Sequence, residues 1–336
     1  MKLGIDAMGG DHAPSEIVQG AIEAARLIDA QLVLYGQAEQ ILPLIGDRPI
    51  LVVDCREVIQ NDEMPVPVIR SKTDSSMVRG LMDLKEGKID GFLSAGSTGA
   101  LLAGGLLRVG RIKGIERPAL TTVYPMNDRM GLLVDAGANA DCKPAHLRDF
   151  ALMSSIYVEK VYGIDNPKVG LVNIGEEPGK GNELVKNTFP LMEKAPINFV
   201  GSIEGRDIPS GKVDIVVTDG FTGNVILKLS EGLAKTMGQW VKEMFLKNAI
   251  TKLSSLFFKQ GFREFKARLD YTEYGGAALL GVNGALVKAH GSSNAKAIKN
   301  AVLYMEKYAA SGVIAEIKQA LDSLLAEEAD ERANPE

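Results

Sequence analysis

The stretch Gly91-Phe-Leu-Ser94-Ala-Gly96-Ser97-Thr98-Gly99-Ala-Leu-Leu decides how this chain folds. A short apolar run, Gly91–Ser94, ends in glycines and small hydroxyl residues, and an apolar helical pattern follows at once. Such a strand–turn–helix unit delivers free backbone N–H groups at a helix start, where the dipole favours an anion. Outward from it the same unit recurs. Asp6-Ala-Met-Gly9-Gly10-Asp-His12-Ala-Pro14 follows the run Lys2–Asp6, and Asp135-Ala-Gly-Ala-Asn139 follows Met130–Asp135. Asn173-Ile-Gly-Glu-Glu-Pro-Gly-Lys180-Gly-Asn182, Thr218-Asp219-Gly-Phe-Thr-Gly223-Asn224 and Lys288-Ala-His290-Gly-Ser-Ser-Asn294 complete the set.

Further strands are read at Gln31–Tyr35, Ile50–Asp54, Lys168–Asn173, Ile197–Val200 and Ile215–Thr218. Helical patterns at Ser15–Asp29, Ser76–Glu86, Ala145–Tyr162 and Asn182–Glu193 alternate with them. This alternation defines an α/β chain with a parallel or mixed sheet covered by helices. In an open sheet, turns at the carboxyl ends of strands converge on one crevice, so an anion-binding cleft is expected. Each turn taken alone has a plainer reading: Ser97, Thr98 and Ser292 can simply cap helices.

From Gly223 to about Asp270 the alternation stops, and the sequence reads as two helices meeting near Asn248–Thr251. The tip of this hairpin is apolar and basic, with Leu253, Leu256, Phe257 and Phe258 beside Lys252, Lys259 and Arg263. The pattern suits either a packed face with solvated lysines or a surface helix lying on an anionic membrane.

Composition narrows the function. With 336 residues, 46% apolar and 24% charged, the chain has ordinary globular usage. A net charge of -5 excludes a general nucleic-acid footprint, which needs a basic face. Cys55 and Cys142 sit in unrelated contexts, so no disulfide framework is expected and a reducing cytoplasm suits the chain. Met1–Asp6 reaches an acidic residue too early for a secretory signal. The longest apolar stretch, around Gly99–Val109, is about half the ~20 residues that span a bilayer.

Within the expected cleft, Lys180 is flanked by glycines and Asn224 ends its turn as a neutral double donor. An ammonium that neutralises phosphate beside an amide that donates to an oxyanion suits acyl transfer. Lys180 reads equally as a solvated loop lysine, and Asn224 as a helix cap. His290 is the histidine in a cleft turn, with a structural role as its alternative. His12, His146 and His290 show no metal-ligand spacing, and no cofactor is expected. Neither a Gly-x-Ser-x-Gly elbow nor a Walker loop occurs.

The motifs at Asp6–Pro14, Ser94–Ala100, Gly110-Arg-Ile-Lys-Gly-Ile-Glu-Arg-Pro-Ala119, Asp219–Val225 and Lys288–Ser293 stand in one order over most of the chain. In this they resemble the phosphate acyltransferase (PlsX) family. The resemblance implies a three-layer α/β/α fold on a mixed sheet, like isocitrate and isopropylmalate dehydrogenases. It implies one intertwined unit over 1–336 with a helical hairpin insertion at 225–270, and a homodimer. The implied reaction converts acyl-acyl-carrier-protein and inorganic phosphate into acyl phosphate, toward phosphatidic acid in bacterial phospholipid synthesis.

A membrane glycerol-3-phosphate acyltransferase is the implied downstream partner, and the enzyme is expected in the cytoplasm, peripherally on an anionic membrane. By motif, the family's catalytic positions fall on Lys180 and Asn224. His290 is added on chemical grounds. Asp6, Gly9, Gly10, His12, Ser94, Gly96, Ser97, Thr98, Gly99, Asp135, Asn139, Asn182, Asp219, Gly223 and Lys288 are expected to bind phosphate or substrate. Leu253, Leu256, Phe257, Phe258 and Lys259 are expected at the membrane. The Pro178-Gly179 pair before Lys180 departs from many relatives and leaves that loop's conformation open. Rival readings are a phosphotransacetylase acting on acyl-CoA, a nicotinamide-dependent dehydrogenase, and a non-catalytic membrane-docking module.

Overall fold

The computed structural model describes residues 1–127, 129–177, 179–247, 258, 260–261 and 275–333. Eleven strands form one sheet: β1 (Lys2–Asp6), β2 (Gln31–Gly36), β3 (Leu51–Asp54), β4 (Gly91–Ser94), β5 (Ala119–Pro125), β6 (Met130–Val134), β7 (Lys168–Asn173), β8 (Asn198–Glu204), β9 (Ile215–Val217), β10 (Ala277–Leu280) and β11 (Ala285–Lys288). Their order across the sheet is β3-β2-β1-β4-β11-β10-β5-β6-β9-β7-β8.

Strand sense carries the architecture. β3, β2, β1, β4 and β11 are mutually parallel. β10 then pairs antiparallel with β11 and with β5, and β5 pairs antiparallel with β6. β6, β9, β7 and β8 continue in parallel. Three successive reversals therefore leave the two parallel blocks running in opposite senses. The sequence reading expected the glycine turns to converge on one crevice and did not divide them between the two ends of the sheet. Instead, the turns after β1, β4 and β11 share one end of the sheet, and those after β6, β7 and β9 the other. β5 and β10 lie between them.

Period-two alternation assigns the two faces. Leu3, Ile5, Leu32 and Leu34 join one core with Ile17, Val18, Phe150, Ile298 and Val302 from covering helices. Val33, Tyr35 and Phe92 join the opposite core with Met77, Val78, Leu81, Ala100 and Leu101. Helices on both faces make the three layers. Gly4 sits where a Cβ would meet Tyr35 and Phe92, so the aromatic pair packs edge-to-face directly on the backbone of β1.

The long helix Gly220–Leu246 measures about 40 Å at 1.5 Å per residue, and its far part leaves the sheet largely exposed. The sequence reading placed the first arm of a hairpin along this stretch. The turn near 248–251 and the calls at Leu253, Leu256, Phe257 and Lys259 lie outside the described residues, while Phe258 is exposed. Among the described residues no helix is long and apolar enough to cross a membrane.

Candidate functional site

Turns from both sets, those after β4 and β11 and those after β6 and β9, meet at a cavity of about 360 Å³ over the central strands. Leu120, Thr122 and Val123 of β5 and Ala277 of β10 line it. From one side come Thr98, Lys288, Ala289, His290, Gly291 and Ser293, and from the other Ala136, Gly137, Asn224, Leu227, Lys228 and Glu231. Its volume is within the range of small-molecule sites.

Asp135 builds the second side. Its Oδ1 accepts N–H bonds from Leu120 (3.0 Å), Gly137 (3.3 Å) and Ala138 (3.0 Å). Its Oδ2 accepts from the backbone N–H (2.7 Å) and side-chain amide (2.9 Å) of Asn139. Burial pushes this carboxyl's pKa up, and the N–H donors pull it back. Asn139 also donates to the Pro118 carbonyl at 2.8 Å, tying the turn to β5.

The long helix seats on this turn through two glycines. A Cβ on Gly220 would lie 2.6 Å from the Asn139 carbonyl oxygen, and one on Gly223 only 1.9 Å from that of Asp135. Asp219 caps the helix, accepting from the Thr222 N–H at 2.9 Å. This close approach brings the Asn224 side chain over Gly137, whose φ of +128° favours glycine. One helical turn on, Lys228 pairs with Glu231 at 2.9 Å on the face that carries Asn224.

On the first side, Asp6 lies fully buried beneath the turns. The Ser94 hydroxyl donates to its Oδ2 at 2.7 Å, and the Met8 N–H reaches Oδ1 at 3.2 Å. Burial raises its pKa. Gly9 packs so closely on Gly96 that a Cβ would lie 2.7 Å from the Gly96 nitrogen. Lys288 ends β11 with its ammonium buried. Two of its N–H bonds meet the carbonyls of Ala95 and Ala289. Burial pushes its pKa down to about 8, against the pull of Asp6 and Asp11.

His290 Nδ1 accepts from the Ser292 N–H at 3.2 Å, so the neutral ring carries its proton on Nε2. Burial first, then Lys228 and Lys288, lower its pKa and keep the ring neutral near pH 7.

Of the residues expected from sequence, the cavity thus gathers Asn224, His290, Lys288 and Thr98. Asp6, Gly9, Ser94, Asp135, Asn139, Asp219 and Gly223 form its supporting framework. Gly10, at φ +115°, packs against Ala95 and the Gly291 carbonyl, and Gly99 against Pro65. Gly96 donates to Ser94 Oγ at 3.1 Å. Ser97 and Asn182 take the plainer role of helix caps, accepting from Ala100 and Val185 N–H groups.

His12 is exposed in the first turn and outside the cavity lining. Lys180 is also exposed and outside that lining, on the loop after β7. There its N–H donates to the Glu177 carbonyl, and its own carbonyl accepts from Asn173. That loop follows the strand next to β9, so Lys180 and Asn224 leave the sheet at the same edge. His146 is structural: Nδ1 accepts from Lys143 N–H, and Nε2 meets Glu116 at 2.7 Å. Burial raises both cysteine thiols to about 12, far from a reactive thiolate.

Sequence reasoning missed the floor of the cavity, β5 and β10, together with Lys228 and Glu231. The Thr121-Thr122-Val123-Tyr124 run was the available signal for β5. For Lys228 and Glu231 it was their spacing of four and seven residues from Asn224.

Solved structures define the class of this fold. A phosphotransacetylase from Streptococcus pyogenes superposes with a TM-score of 0.61 at 15% identity, covering 96% of this chain and 94% of its own. A branched-chain phosphotransacylase from Enterococcus faecalis V583 gives 0.60 at 14% identity, covering 93% and 99%. A 4-hydroxythreonine-4-phosphate dehydrogenase from Klebsiella pneumoniae gives 0.54 at 13%, covering 92% and 99%. At these identities the likeness is one of fold.

Sequence comparison is closer. The family model described as "Fatty acid synthesis protein" matches residues 1–316. A phosphate acyltransferase of Alkaliphilus oremlandii is 54% identical, covering 96% of this chain and 98% of its own. One from Clostridioides difficile is 48% identical, covering 95% and 96%. The chain is an enzyme of the phosphate acyltransferase (PlsX) family.

Proposed function

We propose that this enzyme transfers a fatty acyl group from acyl-acyl-carrier-protein to inorganic phosphate, releasing carrier thiol and acyl phosphate. One observation carries the reading: Asn224, Lys288 and His290, delivered by turns from opposite ends of the sheet, line one cavity. Phosphate is ionised at neutral pH and needs no covalent enzyme intermediate. Its oxygen attacks the thioester carbon, a tetrahedral oxyanion forms, and the C–S bond breaks to leave thiolate. The work of the site is to hold two anionic partners together and stabilise that oxyanion.

In this reading Asn224 donates to the carbonyl oxygen. Lys288 and the Nε2–H of His290 hold phosphate, and Lys180 adds a second positive charge from the neighbouring turn. His290 is neutral and so acts as a donor more readily than as an acid. Thiolate leaves without help.

Forming acyl phosphate would be the first step toward phosphatidic acid, and the product would feed a membrane glycerol-3-phosphate acyltransferase. Two features support an enzyme that works as a homodimer at the membrane surface. Phe221, Val225, Leu229, Leu233, Met237, Trp240 and Met244 form an exposed apolar stripe along the long helix, suited to a second copy. The basic and apolar sequence beyond it suits anionic lipid. Release of carrier thiol that depends on phosphate tests the reading. Equal or better use of acyl-coenzyme A would favour a phosphotransacetylase instead.

A further inference from the structure

Lys228 of the long helix lines the cavity, yet the transfer proposed above gives it no task. Four residues, about 6 Å along the helix axis, separate it from Asn224, so both project from one face. Tyr124 of β5 fixes this part of the helix, its hydroxyl meeting that of Ser230 at 2.7 Å. Ile226 and Leu227 pack against the core that Tyr124, Leu133 and Val216 form. Lys228 and Glu231 are therefore carried over the central strands, where both line the cavity.

Their charges act across it. After burial, Lys228 is the largest influence lowering the His290 pKa, ahead of Lys288, while Glu231 raises it. Two ammonium groups, one from the long helix and one from β11, thus act on the same imidazole. Glu231 is the one carboxylate among the described lining residues, an odd group beside two anionic reactants. Its 2.9 Å bond to Lys228 accounts for it, because the pair cancels its own charge. Spaced i,i+3 with Lys228 half-exposed, the pair is weak, and phosphate is the stronger partner for an ammonium.

We propose that Lys228 is a phosphate-binding residue that leaves Glu231 to meet the phosphate from the side opposite Lys288 and His290. The inference rests on the acyl-transfer reading and adds to it the residue that closes the phosphate site. Attack requires a phosphate oxygen about 3 Å from the thioester carbon whose oxygen Asn224 holds. Lys288 and His290 reach that phosphate from the β11 side. A cation one turn beyond Asn224 reaches it from the other.

The test measures phosphate KM and thioester KM for the wild type, Lys228→Met, Lys228→Arg and Glu231→Gln, each confirmed as folded by thermal unfolding. Lys228→Met should raise the phosphate KM about tenfold and leave the thioester KM nearly unchanged. Lys228→Arg, which keeps the charge, should stay within about threefold of wild type. Glu231→Gln breaks the same pair but frees the ammonium, so it should lower the phosphate KM about threefold. A purely structural ion pair would move Lys228→Met and Glu231→Gln the same way. A phosphate KM unchanged in Lys228→Met, or raised alike in both variants, would overturn the proposal.

Phosphate binding is read a second time without thioester, as the rise in unfolding midpoint that inorganic phosphate gives over chloride of equal ionic strength. That rise should shrink in Lys228→Met and grow in Glu231→Gln; equal rises in wild type and Lys228→Met would also overturn the proposal. Absence of phosphate-dependent thiol release in the wild type would sink the acyl-transfer reading itself, a failure that this binding measurement keeps distinct.

Discussion

Gly223 rests so closely on Asp135 that a Cβ would lie 1.9 Å from the Asp135 carbonyl oxygen. The contact joins the start of the long helix to the turn after β6, and it fixes where Asn224 points. Backbone cannot yield here as the end of a flexible side chain could. Gly223→Ala is therefore expected to destabilise the protein by about 1–3 kcal/mol, the usual range for overpacking, and to displace Asn224. A lowered unfolding midpoint together with lost turnover checks this. Unchanged values for both would show that the contact is slack.

Asn224 stands over Gly137 and lines the cavity, and the mechanism asks it to donate only as the oxyanion forms. Asn224→Ala should lower kcat by about 10²–10³-fold while leaving the KM for phosphate nearly unchanged. Steady-state kinetics with both substrates varied separates these effects. A rise confined to the phosphate KM would move Asn224 from the carbonyl to the phosphate.

Burial lowers the Lys288 pKa to about 8, and only the protonated amine attracts phosphate. The sign follows directly: the attraction is complete well below pH 8 and is lost as the pH rises through it. Phosphate KM in the wild type should climb above that pH. Lys288→Met should start with a raised phosphate KM and lack that climb. A pH profile of phosphate KM for both proteins is the measurement, and comparison with the variant removes the titration of phosphate itself.

Lys180 is exposed on the loop after β7, beside the strand that leads to Asn224. Lys180→Ala is expected to remove nearly all phosphate-dependent thiol release while leaving the unfolding midpoint in place, because the side chain supports no packing in the core. Normal turnover in this variant would take Lys180 out of the mechanism.

Much of this fold was legible because buried parallel strands read as short apolar runs cut off by glycine turns. β1, β4 and β7 fall where those runs predict, and β6 and β9 end within a residue of the predicted bounds. The three reversals at β10, β5 and β6 were not legible. Ala277–Leu280 and Ala285–Lys288 are short, alanine- and leucine-rich and buried, so they show neither alternation nor strong strand propensity.

That omission had a consequence for the site. The turns were expected at one crevice, but without β5 and β10 the sequence could not show that they face each other across those strands. Asn224, His290 and Lys288 could still be read from their turns. The framework roles of Asp135 and Gly223 could not, because they depend on contacts between residues far apart in the sequence, Leu120 with Asp135 and Asp135 with Gly223.

The most direct measurement mixes purified enzyme with a long-chain acyl-acyl-carrier-protein, with and without inorganic phosphate, and follows free carrier thiol and acyl phosphate together. The account predicts thiol release only with phosphate, matched mole for mole by acyl phosphate. Thiol release at the same rate without phosphate, or release that yields free fatty acid alone, would contradict it.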